Sequence, residues 1–168
     1  VFDTGNVVNS AKLTLGLGGT SSSFVQFGQA SGTAAVGTFD VAPTFNLGSG
    51  GLSIIYSQEG AARTSGVEIP VSRTLQGVTI NNTNGVTLSG GAASTAALTL
   101  TAGNLNTSSA NLLTVTGTTT GAITGGSATS FVNGPIARAL PASLIIGSTY
   151  NFPTGKSGYN NFQLVNPT

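Results

Sequence analysis

Residues 78–101 read VTINNTNGVTLSGGAASTAALTLT. In Val78-Thr79-Ile80, Val86-Thr87-Leu88 and Leu98-Thr99-Leu100, apolar residues stand two apart with a Thr between them. That is the two-residue period of a half-buried strand, whose successive side chains point to opposite faces. Asn84-Gly85 separates the first two runs, and such a pair tolerates the positive φ of a tight reversal. Outward from this stretch the pattern recurs at Leu113-Thr114-Val115-Thr116. Upstream it recurs at Phe24-Val25-Gln26-Phe27 and Leu52-Ser53-Ile54-Ile55-Tyr56. No apolar stripe at i, i+3, i+4 and i+7 lasts three turns, so helices are not expected. The chain is predicted to be all-β.

The composition fits a β material. Gly, Thr, Ser and Asn fill about half of the 168 residues, and charged residues are only 5%, where roughly a quarter is usual. From Thr74 to Gly134 the chain carries neither a charge nor a Pro. Leu88-Ser89-Gly90-Gly91-Ala92-Ala93-Ser94 aligns with Ile123-Thr124-Gly125-Gly126-Ser127-Ala128-Thr129, a long-period echo. Short strands between Gly and Asn turns, with such an echo, point to stacked β-solenoid coils. A β-sandwich has turns at similar intervals and is the alternative. The expected division is an N-terminal β region over 1–70, sandwich-like or a cap, a β-solenoid-like module over 71–135, and a C-terminal β segment over 136–168.

The same arithmetic excludes function classes. His, Cys, Met and Trp are absent, so imidazole proton transfer, thiol nucleophiles and His/Cys metal sets are unavailable. No catalytic residue, metal or cofactor is expected, and the chain is read as no enzyme. Glu59 and Glu68 are expected to be solvated or ion-paired, with Arg63 and Arg73 as partners, rather than a glycosidase pair. A net charge of +1 without a basic cluster disfavours nucleic acid. No apolar run approaches the ~20 residues of a membrane span. With nine charged side chains and no His, stability is expected to be nearly flat between about pH 5.5 and 9. The start at Val1 is read as processing or excision, and the uncharged Thr/Ser/Asn/Gly surface as extracellular.

Three segments resemble the β-strand-repeat surface proteins secreted by Bacteroidota, often through the type IX route. The first is Gly51-Leu52-Ser53-Ile54-Ile55-Tyr56-Ser57 with Val67-Glu68-Ile69-Pro70. The second is Val78-Thr79-Ile80-Asn81-Asn82 with Gly85-Val86-Thr87-Leu88-Ser89, running into Leu98-Thr99-Leu100-Thr101-Ala102-Gly103-Asn104-Leu105. The third is Phe131-Val132-Asn133-Gly134-Pro135-Ile136 with Tyr150-Asn151-Phe152-Pro153-Thr154-Gly155-Lys156. The resemblance implies a role in a cell-surface adhesin or fibre and no activity.

Short apolar strand-like pieces mark the two ends: Val1-Phe2 and Val7-Val8, then Phe162-Gln163-Leu164-Val165. Unpaired strand edges template pairing with another chain, and few charges guard these. Val1, Phe2, Val7, Val8, Phe162, Leu164 and Val165 are therefore the candidate assembly residues, the partner being further copies of the chain, head to tail, in a filament. The alternative reading is a glycan- or ice-binding β module. Tyr56, Tyr150 and Tyr159 are its candidate sugar-stacking residues, and Thr99/Thr101 and Thr114/Thr116 its candidate flat hydroxyl array.

Overall fold

The computed structural model describes residues 14–16, 18–27, 39, 41–57 and 59–167. Fifteen strands are present among them. β1 (Thr14–Leu15), β2 (Ser23–Phe27), β3 (Thr44–Phe45), β4 (Leu52–Ser57) and β5 (Arg63–Thr64) come first. β6 (Thr74–Asn81), β7 (Val86–Thr87), β8 (Ala93–Ala102), β9 (Leu105–Asn106) and β10 (Leu113–Val115) follow. A short 3-10 turn at Thr120–Ala122 leads into β11 (Ile123–Gly125), β12 (Val132–Asn133) and β13 (Ile136–Arg138). β14 (Thr149–Gly155) and β15 (Tyr159–Val165) close the series.

The strands stack as a β-solenoid of about four turns. One sheet runs β13-β10-β8-β6-β4-β2, with β11 also on β8, a second runs β15-β14-β12-β9-β7-β5, and β1 pairs with β3 in a two-stranded sheet. Every pairing between successive turns is parallel. β8 shows the shape of a turn. Its start, Ala93–Thr95, pairs with β10, whereas Leu98–Leu100 pairs with β11, so one strand of this turn carries two strands of the next.

The inward positions form ladders one residue wide. Val25, Ile54, Val78, Leu98 and Ile123 stand over one another, and all are buried. Phe27, Tyr56, Ile80 and Leu100 form a second ladder, and Val86, Leu105 and Val132 a third. Between the first two ladders Thr79, Thr99 and Thr124 face outward, as the alternation requires. Burial of whole ladders at roughly 25 cal/mol per Å² of apolar surface stabilises the stack in place of disulfides.

Parallel pairing is present from β1, which pairs with β3, and continues through β2, β4 and β6 in register. Pro70 lies in the loop between β5 and β6. One expectation changes: the echo between 88–94 and 123–129 does not join stacked positions, since Ile123 lies over Leu98. Coil length varies instead: Val86 pairs with Leu105, but Ser23 with Leu52. No helix among the described residues is long and apolar enough to cross a membrane.

Candidate functional site

The charged residues are the first place to look for chemistry, and of the six among the described residues the fold uses five in internal contacts. Arg63 occupies the ladder position that Val86, Leu105 and Val132 fill in later turns. Its guanidinium lies 3.8 Å from the centroid of Phe27, and Nη1 donates to Glu59 Oε1 at 2.6 Å. Asn82 Nδ2 donates to Glu59 Oε2 at 3.3 Å and to the Ala61 carbonyl at 3.0 Å. Tyr56 donates its hydroxyl to Glu68 Oε1 at 2.8 Å, and the Gly66 N–H donates to Glu68 Oε2 at 2.9 Å. Tyr56, Glu59, Arg63, Glu68 and Asn82 are all buried. A void lined in part by Tyr56 measures about 10 Å³ and has largely apolar walls, including Ile69, Leu75 and Val78. It gives no room to a substrate. Glu59 and Glu68 are neither solvated nor set across a cleft, and the cluster ties the first turns together.

Burial pushes the Glu59 carboxyl above its ordinary value, outweighing the attraction of Arg63. Protonation therefore favours the folded state, and stability through Glu59 falls as pH rises from the carboxylate range to the folded value. Burial, then the charge of Glu68 and its hydrogen bond, push the Tyr56 phenol well above 10.0. The unfolded phenol ionises near pH 10 while the folded one keeps its proton. This stabilisation is complete below pH 10 and is lost as pH rises through the folded value. Denaturant titrations at rising pH are expected to show stability falling above pH 10. Tyr56→Phe should reduce that slope by up to about 1.4 kcal/mol per pH unit. Parallel slopes for the two proteins would refute a buried, protonated Tyr56.

Two further arginines clamp loops through backbone carbonyls. Arg73 donates to Ser89 O at 2.7 Å and Gly91 O at 2.8 Å, rather than to an acid as the sequence suggests. Arg138 donates to Thr119 O at 2.6 Å, Asn151 O at 2.7 Å and Thr120 O at 2.8 Å. Among the described residues Lys156 is then the one charged side chain classed as exposed. No group of three or more His, Cys, Asp or Glu occurs among them.

The candidate sugar-stacking residues separate. Tyr56 is 2% exposed and Tyr150 0%, so neither presents a ring to a ligand: Tyr56 is in phase with Leu52 and Ile54 on the inward face of β4, and Tyr150 packs beneath the Arg138 guanidinium. Tyr159 alone reaches the surface, at the start of β15. The hydroxyl ranks are one residue wide. Thr79, Thr99 and Thr124 stand in line, as do Thr74, Ser94 and Thr114. Thr101 has no place in the first rank's neighbour, because the β6–β8 register shifts between Ile80 and Asn81.

Of the candidate assembly residues, Val1, Phe2, Val7 and Val8 lie outside the described residues. Phe162, Leu164 and Val165 all lie on β15, the end strand of the second sheet. β15 pairs antiparallel with β14, Phe162 opposite Phe152 and Leu164 opposite Tyr150. The Asn166 N–H donates to Ser148 O at 3.0 Å, which sets even-numbered residues in the hydrogen-bonded pairs with β14. Pro153, opposite Asn161, falls in a non-bonded pair, so its missing N–H costs that ladder nothing. β12 begins to pair with β14 only at Thr154. The backbone groups of Tyr159, Asn161, Gln163 and Val165 therefore point to the outer edge of β15. Among the described residues no strand pairs with that edge. Phe162 is 59% and Val165 52% exposed there. The sequence pieces marked the apolar residues of this edge but not Tyr159, whose place in register with them comes from the hairpin.

Comparisons of the chain with protein-family models, with curated proteins and with solved structures each returned no significant match.

Proposed function

We propose that the chain is an extracellular structural protein, a module of a cell-surface fibre or adhesin that assembles through its β edges. The observation that carries this reading is the open outer edge of β15, seven residues long and free of charge. Soluble β proteins usually blunt such an edge with Lys, Pro, a bulge or a cover, because it templates another strand. Here none of those guards lies within Tyr159–Val165. The internal use of the described charges other than Lys156 supports the same reading, since a sparsely charged outer surface offers little resistance to association or close packing. The surface-protein resemblance of the three segments and the extracellular location belong to this proposal. No activity is part of it.

Sedimentation velocity over a wide concentration range tests the reading. Species heavier than the monomer should appear and grow with concentration. They should be nearly insensitive to salt between about 0.05 and 0.5 M, because no ion pair across the edge would be screened. A sharp monomer at every concentration overturns the proposal.

A glycan-binding reading has one observation in its favour. Tyr159 adjoins an open groove lined by Gly134, Pro135, Thr154, Gly155, Lys156 and Asn160. Binding on a glycan array that Tyr159→Ala abolishes would favour that alternative.

A further inference from the structure

Resting on the edge-assembly reading above, we infer that two copies join tail to tail, β15 against β15, about a two-fold axis through Phe162. A strand edge is satisfied by another strand, so the question is which one. Head-to-tail stacking would set the seven residues of β15 against β5, the opposite end of the same sheet, which has two. A second β15 matches it in full length. β15 also runs antiparallel to the stack, so an antiparallel partner continues the local geometry of the β14–β15 hairpin.

The hydrogen-bond phase then selects the register. The outward backbone groups belong to odd-numbered residues, and hydrogen-bonded antiparallel pairs must match odd with odd. Centring the axis on Phe162 does this without overhang. Asn161 faces Gln163 of the second copy, Tyr159 faces its Val165, and Asn160 faces its Leu164. Four hydrogen-bonded pairs result, or about eight backbone bonds. The two Phe162 residues meet in a non-hydrogen-bonded pair, where Cα atoms approach to about 4.5 Å and side chains touch. Each ring already lies 5.4 Å from Phe152 of its own chain, so the contact extends an existing aromatic cluster. Charge raises no objection: β15 carries none, and the two-fold brings no like charges together within the strand pair. An isologous contact of this kind closes on itself. A longer filament then requires a second contact at the other end of the solenoid.

The chain contains no Cys, which makes single-cysteine variants a clean test. Phe162→Cys places two thiols in the close non-bonded pair, within the Cα range of about 4.4–6.8 Å that a disulfide needs. Asn161→Cys and Gln163→Cys place each thiol diagonally from its own copy, beyond the roughly 7 Å limit. Under mild oxidation Phe162→Cys should form a covalent dimer on non-reducing gels at least about tenfold faster than either neighbour. A mixture of the Asn161→Cys and Gln163→Cys chains should cross-link as a heterodimer. Phe162→Lys should sediment as a monomer with an unchanged far-UV spectrum, since the side chain is largely exposed. Equal cross-linking at all three positions, or none at Phe162→Cys, overturns the two-fold register. If the unmodified chain still assembles in that case, the edge reading stands and only this pairing falls. If it is monomeric throughout, both fall.

Discussion

Arg63→Ala is expected to lower the unfolding free energy by about 3–5 kcal/mol, and Glu59→Ala by a similar amount. Either change leaves one buried charge without its partner at 2.6 Å, and taking an ion out of water is repaid only while that partner is present. Arg63→Ala also removes the guanidinium from the Phe27 ring at 3.8 Å and empties a ladder position. At about 2–4 °C per kcal/mol for a chain of this size, the midpoint of thermal unfolding should fall by roughly 6–20 °C. The double variant Glu59→Leu/Arg63→Met separates pairing from packing. It removes both charges while keeping apolar volume, so it should be much closer to the unmodified chain than either single variant. Urea titration of the three variants reads this directly. Single variants that cost less than about 1 kcal/mol would mean that the pair is solvated and worth only what a surface ion pair is worth. Because a solenoid turn contacts only its neighbours, the loss should start locally. Amide exchange should rise first along β4 to β7 and leave β12 to β14 protected.

The strands of this fold are legible because the stack is simple where it is regular. Val78, Ile80, Leu98 and Leu100 were readable as one buried face, and they are the middle of the ladders. The ladders themselves were not, because the coil length changes from turn to turn as loops at the corners lengthen and shorten. Leu105 follows Val86 by 19 residues and Val132 follows Leu105 by 27, so no fixed period marks the stacked residues. An echo such as that between 88–94 and 123–129 then reflects shared turn chemistry, Gly-Gly at a strand end, rather than stacking.

The site was legible in part for a related reason. Phe162, Leu164 and Val165 read as an apolar strand, but which edge stays open depends on the antiparallel return of β15, a property of pairing rather than of composition. Tyr56 shows the opposite case. Its burial was in the sequence, two residues past Ile54 and four past Leu52 on the same side of β4, and extending the alternation by one step places the ring inside. The buried Arg63 breaks that rule: at its ladder position the pattern calls for Val or Leu, and only the stacking of turns brings Glu59, Phe27 and Asn82 around it.

Gly103→Ala is expected to be as damaging as the loss of the ion pair, for a reason confined to the backbone. Gly103 has φ +74° and a Cβ at this position would stand 1.7 Å from the Asn82 carbonyl oxygen of the neighbouring turn. The left-handed conformation alone costs a non-Gly residue roughly 1–2 kcal/mol. The overlap adds more, because turns stacked at about 4.8 Å cannot part locally without breaking the hydrogen bonds that hold them. Asn82 also donates to Glu59 and to the Ala61 carbonyl, so moving its backbone disturbs the charge cluster one turn away. Two other glycines isolate these contributions. Gly91 has φ +106° but open space around a Cβ, and Gly91→Ala should cost only the conformational part, about 1–2 kcal/mol. Gly121 has open space and no positive φ, and Gly121→Ala should stay within about 0.5 kcal/mol of the unmodified chain. Gly103→Ala should exceed Gly91→Ala by at least about 2 kcal/mol, the cost typical of forcing extra volume into a packed interior. Equal losses for Gly103→Ala and Gly91→Ala in the same urea titration would show that the turns separate freely at this corner, and close stacking there would no longer account for the glycine.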